Sequence, residues 1–327
     1  MIQEKSSPDQ QPGLDLLTVV GAAARRLAAA GVVCGHGTAE PYSEACWLAA
    51  HALGLDPTSP LPRRILAPGE RAAIERWIER RIFSRKPAAY LTGEAWFAGL
   101  KFKVNDAVLV PRSPLAEVIL DRFAPWRGER PVHRILDLCC GSGCIGIAAA
   151  LAFPEAGVDL ADLDPAALAV ARDNGARYDL GRRAELHCGD LFTALPDERR
   201  GGYDVILANP PYVPDSEMAD LAPEYRAEPA AALAGGADGL DFAARILGSA
   251  ADWLAPAGLL FLEVGGSWPT LAAALPDIGC TWLEFSAGGD GVMLIAREEL
   301  DRAAPAIAAW RARRRLALNA KLRSALS

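Results

Sequence analysis

The segment from Val132 to Gly146 constrains the fold of this chain more than any other part of the sequence. Its apolar run from Val132 to Leu138 predicts a buried strand that ends in a turn of small residues. An apolar helix begins near Gly143, and the glycines at 141, 143 and 146 follow the spacing G-x-G-x-x-G. This spacing lets a backbone approach a ligand closely at the N-terminus of a helix. From Val132 onward strands and helices alternate, which is typical of a parallel sheet with helices on both faces.

The glycine turn fits either a nicotinamide cofactor or S-adenosylmethionine, and two acidic residues help to choose between them. Asp137 stands directly before the turn, where a carboxylate can lie near the methionine ammonium, and this favours S-adenosylmethionine. Asp162 ends the second predicted strand, 157–162, about twenty residues after the glycines, where a carboxylate accepts both ribose hydroxyls. Asp164 precedes Pro165 and is predicted instead to cap the following helix.

Asp190 follows the third predicted strand and admits two interpretations. It either lies near the adenine of the cofactor or is a simple turn residue. The full set of cofactor contacts that we expect is Asp137, Cys139, Gly141, Ser142, Gly143, Asp162, Asp190, Leu191 and Asn209.

The tetrapeptide Asn209-Pro210-Pro211-Tyr212 follows a fourth apolar strand, Val205 to Ala208. The two prolines end the strand because neither can donate an N–H to a neighbouring strand. They leave a rigid cup with a side-chain amide, free main-chain carbonyls and an aromatic ring. Such a cup suits a planar group bearing an NH2, since two acceptors take its N–H bonds and the ring lies against its face. A strand-terminating turn without further function is the alternative.

Composition favours an intracellular enzyme in a reducing compartment. The chain of 327 residues is 51% hydrophobic and can bury a large core, so we expect two domains. Residues 1–13 are polar and are not typical of a signal peptide, and we see no uncharged apolar stretch long enough to span a bilayer. We therefore expect a cytoplasmic protein with no membrane partner. The seven cysteines and four histidines lack a zinc spacing, so no metal is expected and structural roles are predicted for the histidines.

The order of patterns predicts four parts. Residues 14–92 form a small helical domain of amphipathic helices. The first helix is predicted at Leu14–Ala30 and the third at Glu70–Ser84, and Ser43 is the predicted cap of a second helix that runs to Leu53. Residues 93–114 are a β-hairpin linker with its turn near Asn105-Asp106. Residues 115–300 form the α/β domain, and residues 301–327 a basic C-terminal helix or tail.

Three further segments have predicted roles near the site. Arg112 and Glu117 either close over the cofactor or form an ion pair at helical spacing. Residues 213–236 have few apolar repeats and are predicted to form a loop over the substrate site. Glu263 ends a fifth strand, 258–264, where its carboxylate is equally well a structural partner.

Six motifs occur in one order and resemble those of the HemK-type N(5)-glutamine methyltransferases over about residues 14 to 300. They are Ala88–Gly93, Val110–Arg112, the glycine turn, Asn209–Tyr212, Glu224-Tyr225 and Ala237–Leu240. The resemblance implies a helical N-terminal substrate domain, a hairpin linker and a Rossmann-like class I methyltransferase domain with a seven-stranded sheet. It also implies methyl transfer from S-adenosylmethionine to a glutamine side chain of a translation protein. One departure is that Cys139 and Cys140 stand where many methyltransferases have glycine and a small residue.

The sequence after Arg112 separates two branches of this family. The release-factor branch typically continues with Pro-Glu-Thr-Glu, whereas this chain has Ser113-Pro114-Leu115-Ala116-Glu117. That run, together with Glu94–Gly99 and the late segment 281–292, resembles the branch that methylates large-subunit ribosomal protein L-three. The release-factor enzyme is the alternative. Three less favoured alternatives are a DNA adenine-N6 methyltransferase, a nicotinamide-dependent dehydrogenase and a non-catalytic ribosome-assembly factor.

The cup and the resemblance together imply a mechanism of positioning rather than of base catalysis. Asn209 Oδ1 and the Pro210 carbonyl would accept the two N–H bonds of the glutamine amide, and Tyr212 would stack on or flank the amide plane. The predicted catalytic residues are thus Asn209, Pro210 and Tyr212, and Pro211 joins them in the predicted substrate site. We identify no histidine or carboxylate placed as a strong base.

Charge is divided unevenly along the chain. Residues 301–327 carry seven basic residues and one acidic residue, so a net charge of −7 for the whole chain leaves −13 for residues 1–300. An acidic body would attract a basic ribosomal protein. The tail, whose basic residues include Arg311, Arg313, Arg314, Arg315, Lys321 and Arg323, either contacts ribosomal RNA or is a solvated helix, and the second is favoured.

Overall fold

A computed structural model describes residues 14–286 and 288–325, with side chains described as far as residue 317. The polar N-terminal segment 1–13 lies outside the described residues, as do the side chains of Lys321 and Arg323. The chain divides into two compact units, with the boundary between Thr92 and Gly93. Within the described part of the chain, no helix combines the length and the apolar character that crossing a membrane requires.

The first unit is helical. Its helices are α1 (Leu16–Ala29), α2 (Pro41–Ala52), α3 (Pro68–Ser84) and α4 (Ala88–Thr92). The Asp15 carboxylate caps α1 by accepting the Leu17 N–H at 3.1 Å. The prediction that Ser43 caps the second helix is wrong. That helix begins two residues earlier, because Pro41 supplies a helical φ and lacks the N–H that a first turn leaves unpaired.

The second unit begins with a β-hairpin of β1 (Glu94–Phe97) and β2 (Leu100–Lys103). Its turn is at Ala98-Gly99 and not near Asn105-Asp106, so the predicted turn position is wrong. Both turn residues have positive φ, +50° and +76°, as a two-residue hairpin turn requires. Asn105 instead forms a local turn after β2, in which its side chain accepts the Ala107 N–H at 3.0 Å.

A seven-stranded sheet forms the centre of this unit, as predicted. Its order is β5-β4-β3-β6-β7-β9-β8, and β9 is antiparallel to both of its neighbours. The strands are β3 (Arg134–Leu138), β4 (Gly157–Asp162), β5 (Ala184–Cys188), β6 (Tyr203–Ala208), β7 (Leu254–Glu263), β8 (Thr281–Trp282) and β9 (Val292–Ala296). The order reverses at β3, since β4 lies on one side of it and β6 on the other. Ligands of open parallel sheets bind at the carboxyl ends of strands beside such a reversal.

Alternate residues of each central strand enter two separate cores. Ile135 and Val205 face one apolar cluster, whereas Leu136 and Ile206 face the other. Helices cover both faces. The helices of the second unit are α5 (Leu115–Leu120), α6 (Cys144–Ala152), α7 (Pro165–Arg177), α8 (Asp215–Met218), α9 (Pro223–Arg226), α10 (Asp241–Leu247), α11 (Ala250–Trp253), α12 (Trp268–Ala274) and α13 (Arg297–Ala325). Of these, α8 and α9 contribute no residue to either cluster.

Two segments differ from their predicted form. Residues 213–236 contain the single-turn helices α8 and α9 and a short 3-10 turn at Ala230–Ala232, so they are more ordered than a simple loop. The described residues of the basic tail belong to α13, which begins at Arg297. Leu300, Ile307 and Trp310 of this helix are buried. The described half of the tail is therefore packed against the α/β core.

Candidate active site

A cavity that is partly open to solvent lies at the carboxyl ends of β3, β4 and β6. Most of the predicted site residues line it, because the ends of neighbouring parallel strands meet at one edge of a sheet. Those residues are Cys139, Gly141, Ser142, Asp162, Asp190, Leu191, Asn209 and Pro211. Residues 107–113 also line the cavity. The structure thus brings the glycine turn, Asn209 and Pro211 to one space. Four other predicted site residues are not among those that line it, namely Asp137, Gly143, Pro210 and Tyr212.

The turn between β3 and α6 depends on left-handed backbone at Cys139, Gly141 and Gly143, whose φ values are +62°, +53° and +76°. A Cβ at Gly141 would meet nothing within 4 Å, so at that point the backbone is open to a ligand. Cys139 stands where many methyltransferases have glycine, and it adopts the left-handed conformation that favours glycine. The turn therefore has this shape although residue 139 carries a side chain. Burial raises the pKa of the Cys139 and Cys140 thiols, which makes them poor nucleophiles.

Asp137 lies beneath the turn and is completely buried. Its Oδ2 accepts the Gly146 N–H at 2.7 Å, whereas its Oδ1 has no hydrogen-bond partner among the described residues. Burial raises the pKa of this carboxyl to about 7, and the nearby Asp162 adds to the shift. An unpaired buried carboxylate oxygen is suited to a cation, as the ammonium of S-adenosylmethionine would be.

Asp162 ends β4 and lines the cavity, as predicted from its position. Its carboxylate accepts the N–H groups of Gly141 at 2.8 Å and Asp164 at 2.9 Å, which links the two turns. Burial raises its pKa. Each oxygen keeps lone pairs that a ribose hydroxyl can use. Asp164 accepts the Ala166 N–H at 2.8 Å, which confirms it as the cap of α7.

Asp190 combines features of both interpretations. Its carboxylate is bound to the Arg245 guanidinium at 2.5 Å, and its carbonyl accepts the Thr193 hydroxyl at 2.7 Å, as in a structural turn. It also lines the cavity together with Leu191, which is buried and has a φ of +50°. The structure therefore places this turn in the cavity wall and leaves the adenine contact as a prediction.

Asn209 and the two prolines stand where β6 leaves the sheet. Pairing with β3 and β7 ends at Ala208, and among the described residues no backbone N–H donates to the Pro210 carbonyl. Asn209 lines the cavity, half-buried, and none of the described residues hydrogen-bonds its side-chain amide. Both acceptors that the predicted cup requires are thus free of partners within the described chain.

The Tyr212 ring lies against Gly265. A Cβ at that glycine would come within 2.5 Å of the ring, so only glycine permits this approach. The Tyr212 hydroxyl donates to Glu263 Oε1 at 3.3 Å, and burial together with the Glu263 carboxylate raises its pKa. The tyrosine hydroxyl is therefore held at the end of β7.

Glu263 is a functional candidate whose role the sequence left open. It is buried and accepts the Ser113 hydroxyl at 2.5 Å on its other oxygen. Burial raises its pKa to about 7, against the opposing effect of the two hydroxyls and the Arg112 charge. Its position at the end of a strand was the available signal, but its two partners lie far away in the sequence.

Arg112 pairs with Glu228 and not with Glu117, so the predicted helical ion pair is wrong. The guanidinium binds the Glu228 carboxylate through two bonds of 2.6 and 2.7 Å, and Glu228 also accepts the Val110 N–H at 2.9 Å. Glu117 instead accepts the Ser286 N–H at 3.1 Å. Arg112 also lines the cavity. Its ion pair with Glu228 joins the segment 107–113 to the segment 213–236 that follows the cup.

His187 forms part of a polar cluster on β4 and β5. Ligand atoms of Asp159, Glu185 and His187 lie within 4.8 Å of one another. The guanidinium groups of Arg134 and Arg199 stand 3.3 and 3.2 Å from the Asp159 carboxylate. These guanidinium groups neutralise the Asp159 carboxylate and would repel a metal ion. We therefore interpret the cluster as an ion-pair network.

The arrangement can hold a cationic, nucleoside-containing ligand along the glycine turn and present an amide to it from the cup. It offers the Asn209 amide and the Pro210 carbonyl as acceptors, which suits transfer to a weak nucleophile by orientation.

Two family models match segments of this chain. Residues 117–264 match the methyltransferase small domain, and residues 19–93 match the PrmC N-terminal domain. The ribosomal protein uL3 glutamine methyltransferase of Bordetella pertussis is 47% identical over 85% of this chain and 94% of that protein. The protein of the same name from Burkholderia pseudomallei is 45% identical over 88% of this chain and 94% of its own length.

A solved methyltransferase structure from Pyrococcus furiosus aligns with a TM-score of 0.45 and 20% identity, over 61% of this chain and 89% of that one. The sequence relatives are far closer and extend across both units. This chain belongs to the family of ribosomal protein uL3 glutamine methyltransferases.

Proposed function

We propose that this protein methylates the side-chain amide nitrogen of a glutamine in ribosomal protein uL3, with S-adenosylmethionine as the methyl donor, in the cytoplasm. The observation that carries the proposal is that Asn209 presents an amide, free of partners within the described chain, to the cavity that the glycine turn lines. The relatives named for this activity match 94% of their own length, which supports the same substrate here.

The donor site combines the glycine turn with three acidic side chains. Asp137 Oδ1 would pair with the methionine ammonium, and Asp162 would accept the ribose hydroxyls. Asp190 and Leu191 would flank the adenine, and Cys139, Ser142 and Gly143 would shape the turn beside it. When bound, S-adenosylmethionine supplies an activated methyl group on a positively charged sulfur.

The cup would act on the weak nucleophile. An amide nitrogen shares its lone pair with its carbonyl, so it attacks poorly unless that lone pair is aimed. Asn209 Oδ1 and the Pro210 carbonyl would each accept one N–H of the glutamine, which fixes the direction of attack. The same two acceptors stabilise the positive charge that develops on the nitrogen. Pro211 stiffens the segment, and Tyr212 would flank the amide plane.

The body of the protein would favour a basic protein substrate. Residues 1–300 carry a net charge of −13 within a total of −7, and ribosomal proteins are commonly basic. An acidic body is poorly suited to gripping DNA, which argues against adenine methylation. The solvated helix stays the favoured interpretation of the tail, and a contact with ribosomal RNA would involve its exposed Arg313.

Substrate choice is tested by incubating the purified protein with labelled S-adenosylmethionine and, in separate reactions, uL3, a peptide chain release factor and duplex DNA. We expect label only on uL3, and peptide mass mapping should place a single added methyl on one glutamine. Equal or greater labelling of the release factor would replace uL3 with the alternative substrate. Label on DNA adenine, or none on any acceptor despite donor binding, would contradict the proposal.

A further inference from the structure

Arg314 lies in the basic C-terminal helix, yet its guanidinium is bound within the protein. Its Nη2 lies 2.7 Å from Asp238 Oδ1 and 2.5 Å from Asp241 Oδ1, and its Nη1 contacts the other Asp238 oxygen. The side chain is only 18% exposed, and its guanidinium also lies over the Trp310 ring at 5.3 Å. Because Trp310 is buried in the core, Arg314 is held in a fixed place.

Asp238 belongs to a turn, residues 235–239, that packs directly on the backbone of the proposed catalytic segment. A Cβ at Gly235 would lie 2.6 Å from the Tyr212 Cα, and one at Gly239 would lie 2.2 Å from the Tyr212 carbonyl oxygen. No larger residue fits at either point without displacing Tyr212. The turn therefore supports the cup through contacts between backbones.

Hydrogen bonds join the turn to the same segment. The Ser267 hydroxyl lies 3.1 Å from the Tyr212 carbonyl and 3.2 Å from the Asp238 carbonyl, so its one hydrogen bridges the two. The Gly235 N–H donates to the Val213 carbonyl at 2.8 Å, and the Asp215 N–H donates to the Gly236 carbonyl at 2.9 Å. A shift of the turn would move the residues that directly follow the cup.

We propose that Arg314 is a positioning residue for methyl transfer, which holds the 235–239 turn against Tyr212 through Asp238 and Asp241. This inference rests on the proposed function of the Asn209–Tyr212 segment and adds a group that acts on it from outside the cavity. It also gives one arginine of the basic tail a role within the protein. Arg314 serves the catalytic segment, whereas its neighbours Arg313 and Arg315 are exposed.

The test compares Arg314→Ala with Arg315→Ala, which removes the same charge from the same helix at an exposed position. Turnover and KM for uL3 are measured with labelled donor, together with the Kd for S-adenosylhomocysteine and the Tm. We expect Arg314→Ala to lower kcat about tenfold or more, since small misplacements near a reacting centre are costly. Its Kd should stay within about twofold. Arg314→Lys, which keeps the charge, should recover part of the loss, and Arg315→Ala should match the parent protein.

Hydrogen exchange supplies a readout that needs no methyl acceptor. In Arg314→Ala, peptides covering 209–216 and 232–240 should exchange faster, while peptides from β3 and β4 should not change. Asp241→Asn, a milder change, should show the same pattern at smaller amplitude. Unchanged exchange in those peptides, or an equal loss of kcat in Arg314→Ala and Arg315→Ala, would overturn the inference. A parent protein that labels no uL3 would instead overturn the proposed function.

Discussion

At the scale of single residues, the proposed chemistry depends most directly on Asn209. Replacing it with alanine removes the acceptor that would orient the glutamine amide and stabilise the charge on its nitrogen. We expect Asn209→Ala to lower kcat by about 100-fold or more, in line with the loss of one preorganised transition-state contact. Affinity for S-adenosylhomocysteine, measured by calorimetry, should be nearly intact. A comparable loss of both quantities would place Asn209 in the donor site rather than the substrate site.

The raised pKa of Asp137 predicts a pH dependence of donor binding. Burial raises the pKa of this carboxyl to about 7, and pairing with an ammonium favours its charged form, so we expect the donor to bind with release of a proton below pH 7. Affinity should therefore weaken as the pH falls from 7 towards 5, by at most about tenfold per unit. Calorimetric titration with S-adenosylhomocysteine at several pH values measures this slope.

Two variants show whether Asp137 causes that dependence. Asp137→Asn should flatten the slope and weaken binding at pH 8, because its side chain cannot become charged. Glu263→Gln is the matched control, since Glu263 has a similarly raised pKa but lies at the Tyr212 hydroxyl. It should keep the slope of the parent protein. If Glu263→Gln alone flattens the profile, the titrating group is not Asp137.

At this scale, the sequence predicted the location of those residues that lie at or next to the carboxyl end of a strand. Asp137, Asp162 and Asn209 were predicted from such positions. In the structure Asp137 is the second-last residue of β3, Asp162 is the last residue of β4, and Asn209 directly follows β6. The roles of Arg112 and Glu263 could be predicted only in part. Each depends on a hydrogen-bond partner far away in the sequence, and the position of a residue relative to a strand does not identify that partner.

At the scale of elements, the glycine turn imposes a packing requirement on α6. A Cβ at Gly146 would lie 2.3 Å from Leu160 Cδ2 and 2.8 Å from the Asp137 Cβ, so the helix approaches β3 and β4 only because this residue has no side chain. Gly146→Ala should reduce the free energy of unfolding by about 1–3 kcal/mol through overpacking. Urea unfolding followed by circular dichroism measures the change.

Gly175 in α7 is the control, since a Cβ there would meet nothing within 4 Å. Gly175→Ala should leave stability unchanged or raise it by up to about 1 kcal/mol, because alanine restricts the unfolded chain. Equal effects of the two substitutions would show that the close approach at Gly146 is not required.

The positions of elements were predicted well where the apolar pattern is periodic. They were predicted less well where the position of a turn determines which residues pair. The strands β3, β4 and β6 follow apolar runs and appear where expected. The hairpin turn was misplaced because Asn105-Asp106 is a stronger turn signal than Ala98-Gly99, and only the pairing of β1 with β2 shows which turn joins them. The short helices α8 and α9 carry too few residues for a helical period to show.

At the scale of the whole molecule, charge predicts how the substrate would be captured. An acidic protein and a basic partner attract each other over distances that salt screens, with a Debye length of about 10 Å at 0.1 M. The association rate with uL3 should fall about tenfold or more between 0.05 and 0.5 M salt, while the dissociation rate changes less. Surface plasmon resonance at several salt concentrations measures both. A rate that is independent of salt would show that charge does not steer the encounter.

The sequence by itself determined the fold class, the family and the strand ends that carry the site. These depend on local order, such as small residues after an apolar run or two prolines that end a strand. Only the tertiary structure decided the partners of Ser113, Arg112 and Arg314, whose contacts join residues 150, 116 and 76 positions apart. Such contacts follow from how the chain packs, and no periodicity along the sequence records them.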